Sequence, residues 1–278
     1  MRFLLLFWVG SAVWLSQLRG ATLPHQTVEN IPYRDMAQAD AATAERCALD
    51  LHYPTGGKNL PVIVWFHGGG LTEGKRFIPE ELKNEGVIIV APGYRLSPGV
   101  KSPTYVEDAA AAVDWVRQNI RRYGGSAEKI FLSGASAGGY LAAMVALDKK
   151  YLRALGWDAN RLMGLVPLTG QMITHFTIRK ERGGSNLQPV VDEMAPLYHI
   201  RKDAPPILII TGDRERELWG RYEENAYFVR MMKVIGHPDI QSFELQGHDH
   251  GETTPTGNRL LLRHVKERSG MIPPKAKT

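Results

Sequence analysis

Cysteine is nearly absent from this sequence, because Cys47 is the only one among 278 residues. A single cysteine cannot form an intramolecular disulfide, and it excludes a zinc site of the cysteine-rich type. The folded state must therefore depend on a hydrophobic core. At 44% hydrophobic residues, a chain of this length can build one large domain, and a division into two is not required.

Long apolar runs are also scarce. The run Phe3 to Leu15 spans about thirteen residues behind Arg2, which is short of the roughly 20 residues that cross a membrane. Together with the small residues Gly20 and Ala21, it predicts a cleaved secretory signal peptide over residues 1–20. The alternative is an uncleaved membrane anchor. We expect the mature domain, residues 21–278, to be secreted or periplasmic, without stable membrane association.

The sequence has no strong excess of one charge. The net charge is +5, and residues of both signs are spread along the whole chain. The densest basic run is only Arg121-Arg122, together with the Lys275 and Lys277 tail. This pattern does not indicate a nucleic-acid partner, and it leaves the oligomeric state unpredicted.

Short apolar, β-branched runs alternate with longer helical patterns, which predicts an α/β fold whose mostly parallel sheet carries helices on both faces. The predicted strands are 61–66, 87–91, 129–133, 163–168, 206–211 and 240–245, and the predicted helices are 105–122, 137–147, 221–235 and 258–267. The stretch 171–204 is too long for an ordinary connection. A poorly ordered insertion is one interpretation, but its place after a strand favours a loop that lines a pocket.

The sequence Gly134-Ala135-Ser136-Ala137-Gly138 follows the predicted strand at 129–133. A serine on a tight turn from strand to helix needs small residues around it, and this pattern is typical of a nucleophile elbow. Alone the pattern is only moderately specific, since a small serine could also simply fill a packed turn. Such a serine needs a base, an acid and oxyanion donors to act as a nucleophile.

The oxyanion donors are predicted in His67-Gly68-Gly69-Gly70, directly after the strand 61–66. Glycines there let the backbone N–H groups of Gly68 and Gly69 approach a substrate carbonyl, next to the N–H of Ala137. A flexible turn would explain the glycines but not their position after a buried strand. We expect His67 itself to be a structural hydrogen-bonding residue.

Two histidines after the last predicted strand are candidates for the base. His250 is favoured because the loop from Gly247 to Gly251 can reach back over the sheet, and His248 is the alternative. The two histidines with Asp249 could suggest a metal site, but no further ligand motif lies nearby. We expect neither a metal nor a cofactor.

The acid is predicted in the sequence that follows Gly212. Glu215, three residues beyond that glycine, is favoured, and Asp213 is the alternative. The remaining carboxylates, with Arg214 and Arg216, are interpreted as a solvated ion-pair cluster.

Four motifs together resemble a known family: His67-Gly68-Gly69-Gly70, Tyr94-Arg95-Leu96-Ser97-Pro98, Glu107-Asp108-Ala109-Ala110 before Trp115, and the elbow. In this order they resemble α/β-hydrolase esterases of the hormone-sensitive-lipase-like group. The closer resemblance is to bacterial feruloyl- and acetyl-xylan-esterase-like carboxylesterases, which are related to arylformamidases. It extends over residues 48–267. A glutamate in place of the usual aspartate and the lack of a long cap are departures, and the second implies an open cleft.

The resemblance implies hydrolysis of short-chain carboxylic esters through an acyl-enzyme, with a small-molecule or carbohydrate ester as substrate. In that reaction Ser136 attacks, His250 carries the proton, and Glu215 or Asp213 orients the imidazole. Acetyl or feruloyl groups on carbohydrate are the expected acyl groups. The alternatives are an arylformamidase, amidase or peptidase with the same triad, and an inactive binding protein on the same fold.

Overall fold

A sheet of eight strands lies at the centre of the structure, a computed structural model that describes residues 23–274. The strands are β1 (His25–Pro32), β2 (Ala48–Pro54), β3 (Leu60–Phe66), β4 (Ile88–Pro92), β5 (Gly125–Ala135), β6 (Gly164–Leu168), β7 (Ile207–Gly212) and β8 (Ile240–Leu245). Their order in the sheet is β1-β2-β4-β3-β5-β6-β7-β8. Strand β2 runs antiparallel to both β1 and β4, and all other neighbours are parallel. The predicted α/β class with a mostly parallel sheet is therefore confirmed.

The six predicted strands are all present as β3 to β8, but β1 and β2 were not predicted. Strand β1 is an edge strand whose side chains are largely exposed, so it lacks the apolar run that marks buried strands. The signal peptide predicted at residues 1–20 lies outside the described residues and stays a prediction. Within residues 23–274, no helix has both the length and the apolar character needed to cross a membrane.

Among the described residues, six helices lie in the connections between strands, and a seventh follows the last strand. They are α1 (Ala41–Arg46), α2 (Thr104–Asn119), α3 (Ala137–Leu147), α4 (Lys149–Ala154), α5 (Phe176–Glu181), α6 (Arg221–Val234) and α7 (Thr253–Arg268). The last helix begins five residues before the predicted start at Asn258. Pro255 lies in its first turn, where a proline removes no helical hydrogen bond.

The two faces of the sheet carry separate parts of the core. On β3, Val62, Val64 and Phe66 pack on the side of α2, α3 and α6. The intervening Ile63 and Trp65 pack on the opposite side, against α7. This alternation follows from the period of two along a strand, and it explains why β3 is apolar throughout.

The carboxyl ends of the parallel strands meet at one edge of the sheet, where binding sites of open α/β sheets form. Ser136 follows β5, the glycines 68–70 follow β3, and the predicted acid and base follow β7 and β8. The stretch 171–204 follows β6 and is not structureless. It contains α5 and a 3-10 turn at Pro196–His199.

A buried carboxylate on α2 fixes one of the segments near this edge. Asp108 is completely buried and accepts hydrogen bonds from the Arg34 and Arg95 guanidinium groups at 2.7 to 2.8 Å and from the Arg95 backbone N–H at 3.1 Å. The neighbouring Tyr94 donates its hydroxyl to the His67 carbonyl at 2.8 Å. Asp108 therefore anchors the segment that backs the glycine loop.

We expect Asp108→Asn to lower the free energy of unfolding by about 3 kcal/mol, because two arginines then lose their buried anionic partner. Urea denaturation followed by circular dichroism measures this. Asp114→Asn on the same helix is the control, since Asp114 pairs with Arg117 in a partly exposed i,i+3 contact worth at most about 1 kcal/mol. Equal losses in the two variants would contradict the anchoring role.

Candidate active site

The turn that carries Ser136 is as tight as the glycine pattern predicts. Ser136 has φ 54° and ψ −118°, a strained conformation for a residue with a side chain. A Cβ on Gly138 would lie 2.0 Å from the Phe66 carbonyl oxygen, and one on Gly134 would lie 2.5 Å from the same atom. The glycines are therefore required because the elbow packs directly against the backbone at the end of β3.

The glycine loop after β3 lies beside the serine. A Cβ on Gly68 would be 3.5 Å from the Ser136 Cβ and 3.1 Å from the Ala135 carbonyl oxygen. Ala137 is the first residue of α3, so its backbone N–H has no partner within the helix. The arrangement brings the loop of Gly68 and Gly69 and the start of α3 to the same side of the serine, as an oxyanion hole requires.

His67 packs against the residues that flank the glycine loop. It is buried, its ring stacks on Tyr94 at 4.4 Å between centroids, and its Nδ1 lies 2.7 Å from the Gly68 carbonyl oxygen. Burial lowers its pKa to about 4, so the ring is neutral at pH 7. These contacts agree with the structural role expected for His67.

The structure pairs His250 with Glu217. The His250 Nδ1 lies 2.5 Å from the Glu217 Oε1, and the Glu217 side chain is only 1% exposed. The other carboxylate oxygen accepts a hydrogen bond from the Gly212 backbone N–H at 3.3 Å. Burial opposes ionisation of Glu217, but the hydrogen bond and charge of His250 outweigh it, and the pKa is lowered. With Nδ1 occupied, the His250 Nε2 is the nitrogen left to meet a nucleophile.

The carboxylate that pairs with His250 is not one of the two that the sequence predicted. Glu215 is exposed on the loop after β7, and its backbone N–H donates to the Asp213 carboxylate at 2.9 Å. Asp213 itself accepts from the Gly247 backbone N–H at 2.7 Å and so joins the loops after β7 and β8. Neither side chain contacts His250, and Glu217 takes the place given to Glu215 or Asp213.

The loop geometry explains this correction. The backbone N–H groups of Arg216 and Glu217 both donate to the Asp213 carbonyl, so the chain turns and returns residue 217 to the strand end. The carboxylate that pairs with His250, Glu217, therefore lies five residues beyond Gly212, whereas the predicted Glu215 lies three residues beyond it. The sequence carries no local signal for Glu217, because the two apolar residues that follow it, Leu218 and Trp219, are themselves exposed.

The alternative base, His248, has other contacts. Its Nε2 lies 3.1 Å from the Thr256 hydroxyl and its Nδ1 lies 3.1 Å from the Gln246 carbonyl oxygen. Both ring nitrogens are thus engaged away from the carboxylate. Among residues 23–274, no three His, Cys, Asp or Glu side chains are grouped as metal ligands would be.

Comparisons with known proteins find similar sequences among esterases. The family model BD-FAE matches residues 49–162. Esterase LipC of Mycobacterium tuberculosis is 26% identical over 236 residues, which cover 74% of this chain and 58% of LipC. The chain spans about half the length of the curated relatives that it matches.

Solved structures show the same fold. A truncated carbohydrate esterase from gut microbiota superposes with a TM-score of 0.72 at 16% identity, covering 90% of this chain and 98% of the other. The esterase Est2 of Thermogutta terrifontis gives 0.68 at 24% identity, covering 90% and 95%. The chain has the α/β-hydrolase fold, and its sequence is similar to those of esterases.

In this fold the long connection after β6 packs against the glycine loop. The Thr177 hydroxyl, on α5, donates to the Gly70 carbonyl at 2.5 Å. The Phe176 ring lies so close to Gly70 that a Cβ there would be 3.1 Å from it. Gln171 accepts from the Phe176 backbone N–H at 3.1 Å and fixes the start of α5. The connection thus supports the glycine loop through a short helix.

Five side chains close in sequence to the carboxyl ends of β3, β5 and β6 are buried: Trp65, Leu71, Tyr140, Gln171 and Met172.

The carboxylate assignment predicts different effects for two neighbouring glutamates. Glu217→Gln should lower kcat for an ester substrate by roughly 10³–10⁴-fold, because the imidazolium formed in the reaction loses its buried anionic partner. Glu215→Gln, on the same loop, is the matched control and should leave kcat close to that of the unmodified protein. Steady-state kinetics on p-nitrophenyl acetate measures both, and a large loss confined to Glu215→Gln would overturn the assignment.

The contact between α5 and the glycine loop gives a second prediction for this site. Thr177→Val should lower kcat about fivefold with little change in KM, since one hydrogen bond of about 1 kcal/mol no longer holds the loop. Thr177→Ser should restore kcat because it keeps the hydroxyl. Thr174→Val is the control, because that hydroxyl bonds to Asp192 instead. A Thr177→Ser variant as slow as Thr177→Val would argue against the hydrogen bond.

Proposed function

We propose that the protein hydrolyses short-chain carboxylic esters through an acyl-enzyme formed on Ser136. The observation that carries this proposal is the buried pairing of Glu217 with His250 at the sheet edge where the strained elbow presents Ser136. The similarity to curated esterases supports the same reaction.

In the proposed reaction the Ser136 hydroxyl oxygen attacks the ester carbonyl carbon, and its proton passes to the His250 Nε2. Glu217 accepts a hydrogen bond from Nδ1–H and stabilises the imidazolium. The backbone N–H groups of Gly68, Gly69 and Ala137 hold the negative oxygen, and loss of one such donor typically costs about 10²–10³ in rate.

Collapse of this intermediate expels the alcohol, which takes the proton back from His250. Water then attacks the acyl-enzyme by the same route, and the carboxylic acid leaves. Apart from the ester and one water molecule, the proposed cycle uses side chains and backbone groups of the chain.

The substrate is proposed to be a small-molecule or carbohydrate ester, with acetyl or feruloyl as the acyl group. One structural relative is described as a carbohydrate esterase, which supports this choice.

We expect the purified protein to hydrolyse p-nitrophenyl acetate and a fluorophosphonate probe to label Ser136. Ser136→Ala should abolish both, because no other group replaces the nucleophile. Mass spectrometry of the labelled peptide locates the adduct. Equal hydrolysis by the two proteins would overturn the proposal, and absence of any adduct on the folded protein would favour a binding function. A large preference for N-formylkynurenine over acetyl esters would assign an arylformamidase instead.

A further inference from the structure

A cavity of about 700 Å³ lies next to the candidate base, away from the buried core. Segment 76–83, strand β1 and the start of α7 form its walls, and the backbone of Gly251, adjacent to His250, closes one side. In ester hydrolysis the departing alcohol takes its proton from the catalytic histidine, so the alcohol lies on the histidine's side of the serine. The cavity is therefore placed to receive the alcohol part of a substrate.

Hydrogen bonds among three side chains fix the inner wall of the cavity. The Trp65 indole N–H donates to the Asn258 Oδ1 at 3.1 Å, and the Asn258 amide nitrogen donates to the Glu81 carboxylate at 3.2 Å. Asn258 is 1% exposed, whereas Glu81 is partly exposed at the cavity. These hydrogen bonds hold Glu81 in one orientation and leave its carboxylate able to accept further hydrogen bonds from a ligand.

The outer wall presents an aromatic ring. The Phe77 ring packs edge-on against Trp65 at 4.8 Å between centroids, yet the residue is 47% exposed. A large apolar side chain held in place at the rim of a polar cavity offers a flat face on which the C–H groups of a ring can lie.

The charges in the cavity select among ligands. Its two cations are already paired, Arg76 with Asp50 at 3.0 Å and Lys83 with Glu80 at 2.5 Å. Within residues 23–274, no salt bridge involves Glu29 or Glu81, the two other carboxylates of the lining. The four carboxylates of the lining outnumber its two cations, so an anionic ligand is disfavoured. Carboxylate oxygens that are not in salt bridges can accept hydrogen bonds, so a group with several hydroxyl donors fits this lining.

We propose that this cavity binds the alcohol part of the ester and that this part is a neutral, hydroxyl-rich ring. Glu81 and Glu29 accept its hydroxyl hydrogens, and Phe77 packs against one face of the ring. The inference rests on the proposed ester hydrolysis for its role in turnover, but the binding itself does not require an active serine.

The test compares the full-length protein on two acetyl esters, p-nitrophenyl acetate and a methyl glucoside that carries one acetyl group. Glu81→Gln should lower the ratio of kcat/KM for the glucoside to that for p-nitrophenyl acetate roughly tenfold, because hydrogen bonds to a charged acceptor are lost. Phe77→Ala should lower the same ratio. Glu85→Gln is the control, since Glu85 pairs with Lys266 and does not line the cavity.

Binding without turnover separates this inference from the proposed function. In Ser136→Ala, saturation-transfer NMR should detect methyl glucoside, and adding Glu81→Gln should remove the signal. If the unmodified protein hydrolyses neither ester, the proposed function fails while the binding measurement still decides the cavity. A ratio unchanged by Glu81→Gln would overturn the hydroxyl-rich ligand.

Discussion

The close contact between the elbow and the end of β3 is the constraint on which the site depends. Gly134 and Gly138 both lie against the Phe66 carbonyl oxygen, closer than any Cβ would allow. This contact brings the start of α3 to the first residues of the glycine loop. One backbone contact between neighbouring strands therefore places Ser136 beside the N–H groups of the glycine loop, and packing on both sides compensates the strain at Ser136.

The glycine loop is then held from three directions. Tyr94 bonds to the His67 carbonyl, Thr177 bonds to the Gly70 carbonyl, and Gly74 packs close to the Gly68 carbonyl and the His67 ring. Each contact uses a carbonyl oxygen or ring atom of the loop and leaves the N–H groups of Gly68 and Gly69 for a ligand. This division explains how a loop rich in glycine can be rigid enough for catalysis, because fixed donors avoid reorganisation during the reaction.

The sequence predicted the parts of this system that repeat locally. Strands β3 to β8 are short apolar runs, and the elbow and the glycine loop are contiguous motifs, so each could be recognised without tertiary information. Strand β1 could not, because its pairing with β2 stabilises a mostly exposed segment. The pairing of Glu217 with His250 could not be recognised from the sequence either, because it depends on a turn that begins at Asp213. A local pattern of alternating carboxylates and arginines does not indicate which carboxylate the turn brings back to the end of the strand.

The role of Asp213 shows why the nearest carboxylate is not the acid. Its side chain accepts the Gly247 N–H, while its own backbone N–H donates to the His248 carbonyl at 2.8 Å, so it joins the two loops at two points. A carboxylate committed to backbone N–H groups has little capacity left for an imidazole. Asp213 therefore fixes the separation between the loops, and the longer glutamate four residues later spans it to reach His250. Because the His250 loop also borders the cavity at Gly251, this two-point connection sets the position of the base relative to both the serine and the cavity.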